Sequence, residues 1–243
     1  ESDVFDEALD VLLDDPTVDF VATRYTDTYE VHSARGSIVF QRIPTNAGYE
    51  YDVEVVSGEN PIAHQDPTYI STYAEEIGAG SNPNNISIPD RQYPAGDPRL
   101  SFIEPEDDSY PFGYERIAAY FDHPDSADFM INLKSYSHAV GELGAHGSLN
   151  IVQSRTPLVF WGKGIVPGSA DNSYAQQVDI APTIGALLGF QKVEGVDERG
   201  IYSHNNYLTW QDGHVLSDIL NGDKSESVIV FVCDGLTHTE LQR

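Results

Sequence analysis

Residues 127–161 read ADFMINLKSYSHAVGELGAHGSLNIVQSRTPLVFW. The stretch opens with a short run of buried type at 127–133 (ADFMINL) and closes with a second apolar run at 157–161 (PLVFW). Between them lies a loop that carries His138 and His146 among Gly141, Gly144 and Gly147. Upstream, the spacing predicts a helix over 113–121 (GYERIAAYF). Downstream, it predicts a helix over 178–188 (VDIAPTIGALL) with Gly189 as its stop signal, a short helix over 215–220, and a continuous apolar strand over 228–232 (VIVFV). Helices alternating with short, wholly apolar strands are the pattern of a parallel sheet covered on both faces. The expectation is therefore an α/β fold, a sandwich with a mostly parallel sheet between helices.

Working back toward the N-terminus, apolar residues at helical spacing in 3–15 predict a helix that Pro16 ends. Residues 18–24 (VDFVATR) read as a buried strand. Segments 29–33 and 37–42 flank a turn at Arg35-Gly36, and 49–56 alternates and is closed by Gly58; together they predict a small antiparallel hairpin layer within 25–60. A short helix is expected at 67–77. From 78 to 110 the chain is rich in Gly, Pro, Asn, Asp and Ser without periodicity, the composition of an irregular excursion.

The 243 residues carry 39 Asp+Glu against 13 Lys+Arg, a formal charge of −26. Nucleic acids and anionic membranes are met by basic patches, so neither is an expected partner. Hydrophobic residues at 40% and aromatics at 11% exclude the composition of a disordered acidic chain. The single Cys233 excludes an internal disulfide framework and a multi-cysteine zinc knuckle. No apolar run approaches the roughly 18 residues of a membrane span, and the first residues do not read as a signal peptide. Lysine is confined to Lys134, Lys163, Lys192 and Lys224, and carboxylates this dense repel one another unless counter-ions screen them. That balance points to a protein adapted to high salt, with an ordinary acidic surface as the alternative. The compartment stays open, the cytoplasm being favoured.

In open α/β sheets, functional groups gather beyond the carboxyl ends of strands. Two places fit. Asp234 follows the 228–232 run, and Gly235 lets the backbone turn there; a carboxylate so placed either holds a divalent metal or caps a helix. His146 lies in the glycine-rich loop after 127–133, where an imidazole either ligates a metal or serves a turn.

The stretch GAHGSLNIVQSRTPLVFWGKGI, followed by VDIAPTIGALLG, resembles a motif of the alkaline phosphatase superfamily, with its type I phosphodiesterase/nucleotide pyrophosphatase branch the nearest in look. VIVFVCDGL is similar to that superfamily's opening strand, which ends in its first metal-binding Asp-Gly. Here His146 precedes Asp234, the reverse of the usual order, which resembles a circularly permuted group; YPFGYERIAAYF fits that group too. The resemblance covers 110–243 well and 17–66 loosely. It implies an alkaline-phosphatase-like fold and a phosphoric ester hydrolase with two divalent metal ions, zinc by family. His146 would bind one metal and Asp234 the other. Asp179 and Thr183 match a helix signature of structural role, and His138 and His238 would stand behind the ligands. Glu142 stands where the permuted group has another His.

The superfamily's nucleophile motif, of the Thr-x-Pro-Asn-His kind, is absent, as is its Asp-His-Gly element. Asp122-His123 runs into Pro124, Thr237 and Thr239 sit too near Asp234, and Ser148 reads as a loop hydroxyl or cap. The resemblance therefore implies that 1–243 is an incomplete domain. It would be the N-terminal part of a longer enzyme, inactive alone, whose nucleophile lies beyond Arg243 and whose partners are the remaining half of the protein and a small phosphate-ester substrate. Alternatives are a phosphomutase- or sulfatase-like member, although Cys233 lacks a sulfatase context, and a non-catalytic binding or scaffold module that keeps the α/β core.

Overall fold

A computed structural model describes residues 2–46, 48–67, 108–134, 147–169, 175–197, 199–233 and 236. The chain divides into two compact units, one from Glu1–Pro157 with Gly235–Arg243 and one from Leu158–Asp234.

The first unit opens with helix α1 (Ser2–Leu13), followed by strands β1 (Val18–Tyr25), β2 (Thr28–Ser33), β3 (Gly36–Thr45) and β4 (Gly48–Gly58). Helix α2 (Gly113–Asp122), strand β5 (Phe129–Leu133) and the single-turn helix α3 (Ile151–Ser154) complete it. The five strands form one sheet in the order β4-β3-β2-β1-β5. Each neighbouring pair is antiparallel, including β1 with β5.

The parallel sheet expected from the sequence is thus overturned, and with it the alkaline-phosphatase-like sandwich. The reason lies in what covers β1. Phe20 and Ala22 face a core with Tyr29, Val31, Ile38 and Phe40 from β2 and β3, closed by Ile117, Ala118 and Phe121 of α2. The opposite face of β1 holds Val21 and Thr23, both buried. Thr23 pairs with Phe129 of β5, and Phe5 of α1 stacks on that ring at 4.7 Å between centroids. A strand covered on both faces is apolar throughout whatever its direction, so the continuous run at 18–24 reported double coverage rather than parallel pairing. At the far edge, β4 turns Tyr51 and Val53 toward the core and leaves Glu50, Asp52 and Glu54 outward, charges that discourage further strand addition.

The runs at 157–161 and 228–232 do not form the expected strands. Trp161 is 95% exposed and Phe231 85%, so their apolar character does not reflect burial among the described residues.

The second unit contains a 3-10 turn (Gln177–Asp179) leading into helix α4 (Ile180–Leu188), the hairpin of β6 (Val193–Val196) and β7 (Tyr202–Asn206), and a 3-10 turn (Ser217–Ile219). Gly189 ends α4 in the left-handed region at φ 69°, as a helix stop requires. Its buried core is small: Ile165, Leu187, Leu216 and Ile219, with Phe160 and Leu220 packed alongside. The short helix expected at 215–220 is the 3-10 turn.

Candidate functional site

In the first unit, polar side chains are buried together where β1 begins and β5 ends. Val18 pairs with Leu133 and Phe20 with Asn132, so Asp19 is the extra residue of a β-bulge. A bulge re-aims the side chain it carries. Asp19 reaches the hydroxyl of Tyr110, which donates to Oδ2 at 2.7 Å, and the amide of Asn132, whose Nδ2 donates to Oδ2 at 3.3 Å. Arg35, in the turn between β2 and β3, donates from Nη2 to Oδ1 at 2.8 Å and to the carbonyl of Pro61 at 3.1 Å. Tyr110 in turn packs edge-on against Phe20.

Burial is the main influence on the Asp19 carboxyl and holds it above the usual carboxylate range, against the pull of Tyr110, Arg35 and Asn132 in the other direction. Tyr110 is pushed up by burial and by the neighbouring Asp19 charge. Beside this cluster lies a cleft of about 310 Å³ whose lining includes Arg35, Glu59, Asn60, His64 and Tyr110.

The same cluster extends into the segment that follows the glycine-rich loop. Asn132 Oδ1 accepts from the backbone N–H of Leu149 at 2.7 Å and from Ser148 Oγ at 3.0 Å. Asn150 caps α3, accepting from Gln153 N at 3.1 Å, while its own amide donates to Ser148 Oγ at 2.6 Å. From α2, Arg116 donates to the carbonyls of Ser148 and Leu149 and to Ser154 Oγ. Its partners in those bonds are neutral, and burial lowers its pKa. Ser148 is a turn hydroxyl, as expected. Gly147 precedes it at φ 97°, with nothing within 4 Å of where a Cβ would stand, so the glycine there serves the backbone conformation and not space.

In the second unit the helix signature has a visible task. Asp179, 1% exposed, accepts from Gln176 N at 2.7 Å through Oδ2 and from His214 N at 2.8 Å through Oδ1. The ring Nδ1 of His214 also lies 2.9 Å from Oδ1. Thr183 Oγ1 accepts from Leu216 N at 3.1 Å. Asp179 and Thr183 thus tie the 214–216 segment to α4. At Gly213 a Cβ would fall 2.2 Å from the carbonyl oxygen of Val178, so a side chain there has no room. Both residues do structural work.

His146 and Asp234, the candidate ligands, lie outside the described residues, as do His138, Glu142, Thr237, His238 and Thr239. The short helix expected at 67–77 and most of the 78–110 excursion fall outside them too. Among the described residues, no group of three or more His, Cys, Asp or Glu side chains is placed to hold a metal ion, and no helix is long and apolar enough to cross a membrane. Asp122 and His123 end α2: Asp122 takes Arg42 through two bonds of 2.8 Å, and His123 Nδ1 accepts from Asp125 N. The sequence points to none of Asp19, Asn132, Tyr110 and Arg116 as functional and to Arg35 only as a turn residue, although Asp19 and Asn132 each carried a signal, a polar residue inside an otherwise buried run.

No protein-family model, curated protein or solved structure matches the chain.

Proposed function

We propose that this chain is part of a metal-dependent phosphoric ester hydrolase of phosphodiesterase or nucleotide pyrophosphatase type. It contributes His146 and Asp234 as ligands of divalent metal ions. The observation that carries the proposal is the pairing of His146-Gly147 with the Val178-Asp179-x-x-Pro182-Thr183 helix. The bonds of Asp179 and Thr183 support it, since they give that signature the structural role the resemblance assigns.

An imidazole nitrogen and a carboxylate oxygen are donors of the kind zinc accepts. Bound there, a metal pair would lower the pKa of a hydroxyl nucleophile and neutralise the charge of an in-line phosphoryl transfer. A polyanionic protein has particular need of that positive charge to hold a phosphate ester. The test is hydrolysis of a chromogenic phosphodiester by the intact protein with and without zinc. Zinc-dependent turnover that falls by orders of magnitude in His146→Ala and in Asp234→Ala is expected. Turnover indifferent to both substitutions refutes the site, and no turnover by the intact protein favours a binding module instead.

A further inference from the structure

In the second unit, two exposed apolar runs leave one clasp. Val166 N donates to the Ile219 carbonyl at 2.9 Å, Asn221 N to the Gly164 carbonyl at 3.0 Å, and Ser225 Oγ to the Lys163 carbonyl at 2.6 Å. Residues 158–161 end two residues before this clasp and 228–232 begin three after it, at most about 7 Å and 11 Å of chain away. Phe160 packs on the unit's small core, whereas Val159, Ile229, Val230 and Val232 are each more than half exposed, beside the bare rings of Trp161 and Phe231. Among the described residues, neither run makes a backbone–backbone hydrogen bond.

Large aromatic side chains bury about 150–250 Å² each, so Trp161 and Phe231 with their aliphatic neighbours expose on the order of 700 Å². The largest apolar patch of a typical monomer is about 300–600 Å², and one side of a standard interface is about 800 Å². The patch also lacks carboxylates: no Asp or Glu occurs from 143 to 170 or from 227 to 233, in a chain that has 39 of them. Two copies with a charge of −26 each can meet only where such groups are absent, because like charges set face to face oppose association. A basic partner would be drawn to carboxylates instead, and an anionic surface would be repelled by the whole chain. Aromatic enrichment with depletion of charge is the composition of an interface core.

We propose that this patch binds a second copy of the chain, with the 228–232 run of one copy lying antiparallel to that of the other across a two-fold axis. β-Branched Val228, Ile229, Val230 and Val232 favour the strand conformation, and strand pairing gives their backbone groups hydrogen-bond partners. A two-fold axis sets the same patch against itself, so the apolar surface of each copy covers that of the other.

Sedimentation velocity of the intact protein in molar potassium chloride, where the screening length falls to about 3 Å, reads the oligomeric state without long-range repulsion. The series runs from about 1 μM to about 1 mM, and the parent is compared with Trp161→Glu, Phe231→Glu and Val56→Glu. All three positions are exposed, so none of the substitutions opens a core, and Val56, on strand β4 of the first unit, is the control. The expected result is a dimer that Trp161→Glu and Phe231→Glu each weaken at least about thirtyfold, while Val56→Glu dimerises as the parent does. A parent that stays monomeric across the series overturns the proposal, whether the patch is bare or covered by another segment of the intact protein. A dimer indifferent to both patch substitutions overturns it too. So does a dimer that Val56→Glu weakens as much as they do, which would place the contact on β4.

Discussion

Arg35→Met tests the buried cluster at its most exposed energetic point. The methionine keeps an apolar stem but removes the 2.8 Å bond to Asp19 and the bond to Pro61. The Asp19 side chain is only 2% exposed, so water cannot replace the lost partner. Removing one member of a buried pair costs about 3–5 kcal/mol, chiefly from the charge left behind. Asp19 retains the Tyr110 hydroxyl and the Asn132 amide, which places the expected loss near the lower end, about 3 kcal/mol at neutral pH.

The pH dependence follows from the same carboxyl. Burial raises Asp19 above its unfolded value, so the folded state takes up the proton first as pH falls. Its contribution then favours folding on acidification and weakens folding as pH rises through the raised value. Arg35→Met removes a cation and raises that carboxyl further, so its cost should shrink between pH 7 and pH 5. Urea unfolding followed by far-ultraviolet circular dichroism at both pH values supplies the numbers. Asp19→Asn combined with Arg35→Met should recover much of the loss, because no charge is then stranded. A loss below about 0.5 kcal/mol for Arg35→Met, or a double variant as unstable as the two single losses summed, would refute the reasoning.

Ile117→Ala removes a fully buried side chain between α2 and the sheet and should cost about 2–5 kcal/mol in the same unfolding assay; a change within about 0.5 kcal/mol would deny α2 its place in the core. Gly213→Ala places a methyl group 2.2 Å from the Val178 carbonyl oxygen and Asp179→Ala strands the N–H groups of Gln176 and His214, so each should lose at least about 1–3 kcal/mol. Tryptophan fluorescence reads both, Trp210 being close in sequence to Gly213; parent-like midpoints would contradict the tie between α4 and 214–216. With a net charge of −26, the melting temperature should rise between low and molar potassium chloride, and an unchanged or falling value would end the proposal of salt adaptation.

Local structure was legible where a single face is buried. The turn at Arg35-Gly36 between 29–33 and 37–42 and the alternation at 49–56 marked the hairpin strands, and Gly189 marked the end of α4. Strand direction was not, because a run such as 18–24 is equally apolar between α1 and α2 in an antiparallel sheet. The runs at 157–161 and 228–232 misled by composition alone. The polar cluster was half legible: Asp19 and Asn132 stand out within buried segments, yet Asp19's partners lie 16, 91 and 113 residues away. Which residues meet across such distances is settled by the bulge and the sheet register, neither of which leaves a local pattern. A structural role for Asp179 was readable from an acid at a helix start, whereas its bond to His214 N and that of Thr183 to Leu216 N span 35 and 33 residues and left no local pattern.

The central proposal is that His146 and Asp234 each hold a divalent metal ion. The most direct measurement is the zinc content of the intact protein after dialysis against a weak chelator, set beside those of His146→Ala and Asp234→Ala. The account predicts two tightly held zinc ions in the parent protein and loss of zinc from each variant. A parent protein that retains no zinc, or variants that retain as much as the parent, would contradict it.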